Sequence, residues 1–416
     1  MPVPRPLAPR RDFPALRGRP GRPAPAYLDS ACMSLTPQAV LDAQEEYYRD
    51  YPGCAGRSVH RWAEEVQRRY EEARETFARF FRAPGPQHLV NVRNSTEGLN
   101  AVAQGLRLKR GSRVLLTDQE HNSNLVVWQR LRETRGIRLD VLPLPEDRPF
   151  DEEAYLSALE RRPALVSFFH ASNLDGRTLP ARALVEAAHD HGARVLLDGS
   201  QAAAHQPISL RSIAPDFYVL SFHKMLGPTG TGLLYVGPRD LETFPPWFVG
   251  GETVETTEYT THTLRPPPHR FEAGLQNYAG VLGAEAALRY LGRHRFEDLP
   301  AHLEGLQRHL GREIEGLEGL SRLGPPRPRD RGAIFPFVLT GLAPEDVALF
   351  LDQGHDVFVR SGMNCVHSWY QARGLPGNVR ASFHVYTGRQ DVDRLVRGLR
   401  ELRDRVPARP VRGDRP

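Results

Sequence analysis

The sequence predicts an α/β fold, with a parallel sheet in a large domain and a smaller α+β domain after it. Short runs of β-branched residues and leucine alternate with helical patterns through the middle of the chain, which is typical of a parallel sheet covered by helices. After Gly283 the pattern changes to longer helices with only a few strands. A chain of 416 residues is also too long for one simple core and favours two or three domains.

The large domain is predicted from a regular alternation of short apolar runs and helical segments. Each run is about as long as a buried strand, and turn residues separate it from the segment that follows. Gly192 supports one of these boundaries, because glycine is favoured at the left-handed position that ends a helix. In chain order the predicted elements are strand His88–Val92, a helix from about Glu97 to Leu106, strand Arg113–Thr117, a helix near Leu125–Arg135, strand Ala164–Phe169, helix Ala181–His191, and strands Val195–Asp198, Phe217–Ser221 and Gly232–Val236.

Domain boundaries follow from changes in this pattern. We predict a large domain over residues 26–294 and a small α+β domain over residues 295–405, with strands at Ile334–Leu339 and Asp356–Val359. The proline-rich run Pro325–Arg331 (PPRPRDR) is predicted to be an exposed connection.

Both ends of the chain are rich in proline and arginine. Residues 1–25 contain six arginines and one acidic residue, a net charge of +5 that equals the excess of the whole chain. We interpret residues 1–25 and 406–416 as disordered tails. The rest of the chain is balanced in charge and has no basic-aromatic stripe, so nucleic-acid binding is not expected.

Composition places the protein among ordinary globular chains, with 40% hydrophobic and 25% charged residues. No apolar run approaches the roughly 20 residues that a membrane helix needs, and no secretory signal is recognised. A cytoplasmic protein without a membrane segment is therefore expected. Three cysteines without a close pair argue against a disulfide framework and a structural zinc site. The run His189-Asp190-His191 is interpreted as a helix C-terminus, so no metal site is predicted.

A carboxylate and a lysine each follow a predicted strand. Asp198 ends one strand, and Lys224 comes directly after the next, in the run Ser221-Phe222-His223-Lys224. In open α/β folds ligands bind at the carboxyl ends of the strands, where both side chains are then expected. A buried ion pair would explain the two residues, but so would a site for pyridoxal 5′-phosphate (PLP). PLP needs a lysine for its Schiff base and an acid that keeps its pyridine nitrogen protonated.

Such a cofactor also needs donors for a phosphate dianion. Ser95 and Thr96 lie at a predicted strand-to-helix junction, where free N–H groups and the helix dipole favour an anion. The simpler interpretation of Thr96 is a helix N-cap. Ser221 and His223 precede the lysine and are expected to reach the same phosphate.

A set of ordered motifs resembles one family of PLP enzymes. The run HGARVLLDGSQAAAH…DFYVLSFHKMLGPTGTGLLY lies between His191 and Tyr235. Further motifs surround it, namely NSTEGLN (Asn94–Asn100), QEHNSNLVVW (Gln119–Trp128), HASNLDG (His170–Gly176), GGE (Gly250–Glu252), HRFEAG (His269–Gly274), RSGMNC (Arg360–Cys365) and VRAS (Val379–Ser382). Together they resemble class-V aminotransferase-fold enzymes, and most of all the SUF-type (group II) cysteine desulfurases. The resemblance implies PLP-dependent transferase fold type I, with a mainly parallel seven-stranded sheet and a smaller C-terminal domain.

The resemblance also implies a role for each matching residue. Lys224 is similar to the lysine that forms the Schiff base, Asp198 to the partner of the ring nitrogen, and Gln201 to the residue that bonds the ring hydroxyl. His121 is similar to a histidine that stacks on the ring and handles protons. The remaining matches are the phosphate ligands Ser95, Thr96, Ser221 and His223 and the substrate-carboxylate pair Asn173 and Arg380.

Cys365 distinguishes between the reactions that such a site supports. It lies in a polar, glycine-containing loop where the resemblance implies a sulfur-accepting thiol, and Arg360 and Arg380 favour its thiolate. The reaction implied converts L-cysteine to L-alanine, leaves a persulfide on Cys365, and supplies an acceptor protein for Fe–S cluster or thio-cofactor assembly. L-selenocysteine is an alternative substrate, and a C–S lyase, aminotransferase or epimerase is an alternative activity. Cys32 and Cys54 match no catalytic motif and are interpreted as structural.

The resemblance implies a symmetric homodimer as well, because HRFEAG occupies the stretch that approaches the neighbouring active site. Leu275 follows this motif where the family usually has a threonine that reaches the partner subunit's phosphate. Leucine cannot donate a hydrogen bond, so Gln276 or water is expected to substitute. Asn122 replaces a second histidine after His121. A non-enzymatic sulfur-relay scaffold is disfavoured, because a scaffold has no need of Lys224 beside an acid.

Overall fold

A computed structural model of the chain describes residues 5–18, 21, 23–56, 58–146, 148 and 150–407. Two main sheets organise these residues, one of seven strands and one of four. In chain order the strands are β1 (Ala26–Tyr27), β2 (Leu89–Val92), β3 (Arg113–Thr117), β4 (Arg138–Leu142), β5 (Leu165–Phe169), β6 (Arg194–Asp198), β7 (Phe217–Ser221), β8 (Gly232–Val236), β9 (Val254–Thr257), β10 (His262–Leu264), β11 (Leu320–Arg322), β12 (Ile334–Leu339), β13 (Val357–Phe358), β14 (Arg360–Gly362) and β15 (Asn378–Ser382).

Helices connect most of these strands. In chain order they are α1 (Gln38–Asp50), α2 (Arg61–Phe80), α3 (Ser95–Gly105), α4 (Asn122–Arg135), α5 (Glu152–Leu159), α6 (Ala181–Asp190), α7 (Ala202–His205), α8 (Leu210–Ile213), α9 (Tyr278–Arg293), α10 (Leu299–Glu313), α11 (Pro344–His355), α12 (His367–Ala372) and α13 (Arg389–Arg405). Gly192 has the left-handed φ of 77° expected after α6.

The seven-stranded sheet is mainly parallel, as predicted. Its order is β2-β8-β7-β6-β5-β3-β4, and only β8 runs antiparallel to its neighbours. Every residue of β5, β7 and β8 is buried. A strand buried on both faces has a continuous apolar sequence, and this is why the predicted bounds of β3, β7 and β8 are confirmed.

Alternate residues of the central strands contribute to two separate cores. Leu196 and Val219 belong to a core that includes Trp128 of α4. Leu197 and Leu220 belong to the other, larger core. Successive side chains of a strand point to opposite faces, so helices cover the sheet on both sides.

β4 is absent from the predicted elements. It forms the edge of the large sheet, and among the described residues it pairs with β3 alone. Most of its residues are exposed or half-buried, so its sequence has no apolar run that would indicate a strand.

The smaller sheet is antiparallel, in the order β11-β12-β15-β14, and β12 has the predicted bounds. The strand predicted over Asp356–Val359 is shorter, because Asp356 has a left-handed φ of 50°. β13 pairs in parallel with β1, so residues 26–27 join the small domain rather than the large domain predicted to begin there. Arg360 of β14 lies opposite Arg380 of β15.

Residues 5–18 pack against the body of the protein, so the prediction of a disordered tail over residues 1–25 is wrong for this stretch. Phe13 is buried completely. Arg10 donates from Nη1 to both carboxylate oxygens of Asp391, at 2.8 and 2.9 Å. One buried ring and one well-placed ion pair therefore fix a segment whose composition alone indicates disorder.

The connection Pro325–Arg331 is less exposed than predicted, because Arg331 is buried and donates to the carbonyls of Pro325 and Pro326. The tail predicted over residues 406–416 lies, from residue 408 onward, outside the described residues. Among the described helices, none combines the length and the apolar character that crossing a bilayer requires.

Candidate active site

The residues that the sequence analysis places in the site line one cavity of about 220 Å³. The cavity lies at the carboxyl ends of β5, β6 and β7, where loops of the small domain meet them. The predicted residues along its wall are Ser95, Thr96, His121, Asn173, Asp198, Gln201, Ser221, His223, Lys224, Cys365 and Arg380.

Asp198 and Lys224 come together because β6 and β7 are parallel neighbours. Asp198 ends β6, and Lys224 ends the short 3-10 helix that follows β7. Ser200 donates to Asp198 Oδ1 from its backbone N–H at 3.0 Å and from its hydroxyl at 2.5 Å. Burial lowers the pKa of Lys224, and the charge of Asp198 opposes this shift. A larger fraction of the lysine is therefore a neutral amine, which is the form that attacks a carbonyl or accepts a proton.

A cluster of hydroxyl groups surrounds the N-terminus of α3. Ser95 and Ser221 are joined by a hydroxyl–hydroxyl bond and by a bond from Ser95 N–H to Ser221 Oγ, both 2.8 Å long. Thr96 Oγ1 lies 2.8 Å from Ser123 Oγ. The helix is capped by Asn94, which accepts from the backbone N–H of Glu97, so the capping interpretation of Thr96 is wrong and its hydroxyl is available to a ligand. This arrangement suits a phosphate.

His223 lies in the same wall of the cavity. Burial, together with the charge of Lys224, lowers the pKa of His223 to about 4. The imidazole is therefore neutral near pH 7, and a phosphate bound here would meet it as a hydrogen-bond donor rather than as a cation.

His121 lies immediately before α4 and caps it, because its Nδ1 accepts from the backbone N–H of Ser123 at 3.1 Å. This bond assigns the ring hydrogen to Nε2. Burial, with the charge of Lys224, lowers the pKa of His121 to about 4. The neighbouring Glu120 is fully buried, and burial raises the pKa of its carboxyl to about 8. Hydrogen bonds that the carboxylate accepts, among them one from Asn124, oppose this rise. Sequence reasoning did not identify Glu120 as part of the site's support.

The opposite end of the cavity contains an arginine and two amides. Arg380 donates to Asn173 O at 2.8 Å and contacts Asp29 at 3.5 Å, while its Nε has no hydrogen-bond partner among the described residues. Asn173 Nδ2 donates to Asn364 O at 2.6 Å. Gln201 donates to Ala31 O at 2.7 Å and leaves its buried Oε1 without a partner in the described chain.

Cys365 lies in the loop between β14 and α12, which is attached to the large domain. The backbone N–H of Asn122 donates to Cys365 O at 2.8 Å, and Asn122 Nδ2 lies 2.9 Å from His367 Nδ1. Asn364 and Cys365 both have left-handed φ values, 48° and 60°. Asn122, which departs from the family pattern, therefore links the start of α4 to the cysteine loop.

Cys32 and Arg360 also line the cavity, and Arg360 Nη1 lies 3.4 Å from Cys32 Sγ. The interpretation of Cys32 as structural did not anticipate this position in the cavity wall. The hydrogen bond from Arg360 goes to the sulfur of Cys32, whereas the prediction assigned this arginine to Cys365. Cys54 does not line the cavity and lies within 3.8 Å of Ala55 O.

The residues present fit PLP. The hydrogen bonds from Ser200 to Asp198 use only Oδ1, which leaves the second oxygen for a protonated ring nitrogen. Two buried polar atoms without partners, Gln201 Oε1 and Arg380 Nε, match a ring hydroxyl and a substrate carboxylate in chemistry. The hydroxyl cluster at α3 supplies phosphate donors.

Comparison with known proteins agrees with this chemistry. The model of the class-V aminotransferase family matches residues 26–395. A probable cysteine desulfurase of Streptomyces coelicolor is 36% identical over 404 residues, which cover 95% of this chain and 96% of the relative. A cysteine desulfurase of Escherichia coli is 35% identical over 399 residues, 94% of this chain and 97% of the relative.

A solved structure is also similar to this chain over most of its length. The apo structure of a cysteine desulfurase from Thermococcus onnurineus matches with a TM-score of 0.90 and 33% identity. The match covers 95% of this chain and 98% of that one.

Proposed function

The chain belongs to the class-V aminotransferase family, and from that premise we infer that it is a PLP-dependent cysteine desulfurase. It converts L-cysteine to L-alanine and transfers the sulfur to an enzyme thiol. The observation that carries this inference is the meeting of Lys224, Asp198 and Cys365 at one cavity beside a hydroxyl cluster suited to phosphate.

The residues that line the cavity have distinct roles in this reaction. PLP, when bound, withdraws electrons from the α-carbon of the substrate and so activates its Cα–H and Cβ–S bonds. Lys224 holds the cofactor and removes the proton from Cα, for which a lowered pKa suits it. Asp198 would keep the ring nitrogen protonated, and His121, whose imidazole is neutral because burial lowers its pKa, would be the histidine next to the ring.

Two further groups of residues bind and orient the cofactor and the substrate. Ser95, Thr96, Ser221 and His223 bind the phosphate. Arg380 and Asn173 hold the substrate carboxylate, since a guanidinium forms paired bonds with a carboxylate. The existing bond from Arg380 to Asn173 O already fixes their relative positions.

Sulfur transfer takes place at Cys365. Its thiolate attacks the sulfur of the substrate, so that an S–S bond forms and the Cβ–S bond breaks. A proton is added at Cβ, Lys224 returns a proton to Cα, and alanine leaves. The persulfide sulfur then passes to an acceptor protein for Fe–S cluster or thio-cofactor assembly, in the cytoplasm.

The protein acts as a homodimer in this proposal. Phe248, Val249 and Leu275 are large apolar side chains that are half or more exposed, and they flank the exposed hairpin β9–β10. Exposed large apolar side chains of this kind favour an interface. Leu275 is 68% exposed and suits apolar packing, whereas Gln276 Nε2 already donates to Gly274 O at 3.0 Å. Light scattering at micromolar concentration should give the dimer mass, and a monomer would contradict the proposal.

The decisive experiment measures alanine and sulfide produced from L-cysteine with a thiol reductant present. We expect Cys365→Ala to lose this activity while it retains the visible absorption band of bound cofactor. Cys54→Ala is the matched control, because Cys54 lies outside the cavity. Full activity of Cys365→Ala would overturn the assignment of the sulfur acceptor.

A further inference from the structure

Cys32 occupies the wall of the active-site cavity, together with Lys224 and Cys365. It is half-buried and is not part of a disulfide. Its sulfur accepts a hydrogen bond from Arg360, 3.4 Å away, and Arg360 begins the strand that leads directly into the Cys365 loop. The thiol therefore lies within the reaction space and near the base of the loop that carries the first sulfur acceptor.

The turn that carries Cys32 is firmly fixed. The backbone N–H of Cys32 donates to Asp29 O at 3.0 Å. The residue before it, Ala31, donates to Ser382 Oγ at 2.9 Å and accepts from Gln201 at 2.7 Å. Such anchoring on both sides holds the thiol at a defined place in the cavity wall.

A second observation concerns the positive charge around Cys32. Arg380 is only 3% exposed, lines the same cavity, and leaves its Nε without a partner among the described residues. Arg360 lies beside it as its strand neighbour. Two guanidinium groups in the wall that carries Cys32 can donate hydrogen bonds to an anionic sulfur.

We propose that Cys32 is a second sulfur-accepting residue, which takes the outer sulfur from the persulfide on Cys365. The step rests on the proposed function, because Cys365 must first be loaded. The Cys32 thiolate attacks the outer sulfur, the new Cys32–sulfur bond forms, and the bond between that sulfur and Cys365 Sγ breaks. The electron pair of the broken bond leaves with Cys365 as a thiolate, and the proton of the persulfide stays on the transferred sulfur.

No oxidant or reductant enters this exchange, because the transferred sulfur keeps its oxidation state. The persulfide also helps the two groups to meet, since its outer sulfur extends the reach of Cys365 by roughly 2 Å. The consequence is that one sulfur atom is stored on Cys32. Cys365 is regenerated inside the enzyme, and a second molecule of cysteine reacts before any acceptor arrives.

The test measures how much alanine forms in the first burst, without reductant or acceptor, in the PLP-loaded enzyme. We expect about two alanine molecules per chain in the wild type and about one in Cys32→Ala, a twofold difference. Cys32→Ser, which keeps the size and polarity of the side chain, should also give about one. Cys54→Ala is the matched control and should behave as the wild type.

Mass spectrometry of the same quenched samples identifies which thiol carries the sulfur. Added sulfur on the Cys32 peptide, appearing after that on Cys365 and missing in Cys365→Ala, supports the proposal. A wild-type burst in Cys32→Ser, or sulfur on Cys365 with none on Cys32, overturns it and leaves the desulfurase function intact. Sulfur on Cys32 in Cys365→Ala also overturns the relay order. Absence of sulfur from both thiols would instead reject the proposed function itself.

Discussion

Removing the side chain of Asn122 should slow sulfur transfer without affecting the chemistry at the substrate's α-carbon. Asn122 has two connections to the cysteine loop, one from its backbone N–H to Cys365 O at 2.8 Å and one from Nδ2 to His367 Nδ1 at 2.9 Å. The variant Asn122→Ala keeps the first connection and removes the second. The variant therefore weakens the attachment of the loop to α4 without removing it.

The size of the effect follows from the strain that the loop carries. Asn364 and Cys365 both have left-handed φ values. This conformation costs a residue such as cysteine roughly 1–2 kcal/mol, and asparagine less. The ordered loop depends on its hydrogen bonds to offset this cost. An exposed hydrogen bond of this kind contributes about 1 kcal/mol, so its loss lowers the ratio of ordered to disordered loop about fivefold. We expect persulfide formation on Cys365 to slow, by at most about this factor.

The assay compares two rates in a single turnover. Rapid quenching gives the rate of persulfide formation, and exchange of the substrate's Cα hydrogen in heavy water reports the proton removal assigned to Lys224. Only the first rate should fall in Asn122→Ala. His367→Ala should have the same effect, and the double variant should be no slower than either, because all three lack the same bond. Additive losses in the double variant, or an equal fall in both rates, would refute this account of the loop.

Three further predictions concern the cofactor lysine, the substrate and acid stability. Lys224→Ala should lose the link to PLP that borohydride reduces, and cofactor still fixed by borohydride in that variant would show that another lysine holds it. Cys365→Ala should retain part of its activity on selenocysteine while losing that on cysteine, because selenium leaves more readily without a second nucleophile; equal loss on both substrates would contradict this. Burial lowers the pKa of His170 to about 4. The neutral imidazole therefore contributes stability that is present above pH 6.5 and is lost as the pH falls through 4, up to about 3 kcal/mol. Urea unfolding at pH 7 and pH 4.5 should show a smaller acid-induced loss in His170→Gln, and an unchanged loss would count against the prediction.

Much of the fold was predictable because local pattern and burial coincide in its centre. The strands β3, β7, β8 and β12 have their predicted bounds. Their side chains are largely buried, so that almost every position is apolar and the run is visible in the sequence. β4 lies at the sheet edge with a half-exposed, polar sequence, and no local rule distinguishes it from a loop.

Residues 5–18 show the opposite case, in which the local sequence leads to a wrong prediction. Proline and arginine in residues 5–18 indicate disorder by composition, yet Arg10 pairs with Asp391 and Phe13 is buried. These contacts join residues that are almost the whole chain apart. Burial of one aromatic ring and a two-bond ion pair offset the entropy of ordering the segment, and neither partner is visible from the segment itself.

The sequence by itself determined six of the seven strands of the large sheet and which residues follow them. Parallel strands end on the same side, so periodicity places Asp198 and Lys224 at one edge of the sheet, and the pairing of β6 with β7 makes them neighbours. Only the tertiary structure decided the rest of the site. It tied the Cys365 loop to Asn122, and it brought Cys32 to Arg360 across 328 residues of chain. The physical reason is that side-chain hydrogen bonds between distant segments depend on how those segments pack together. Local sequence patterns do not predict that packing.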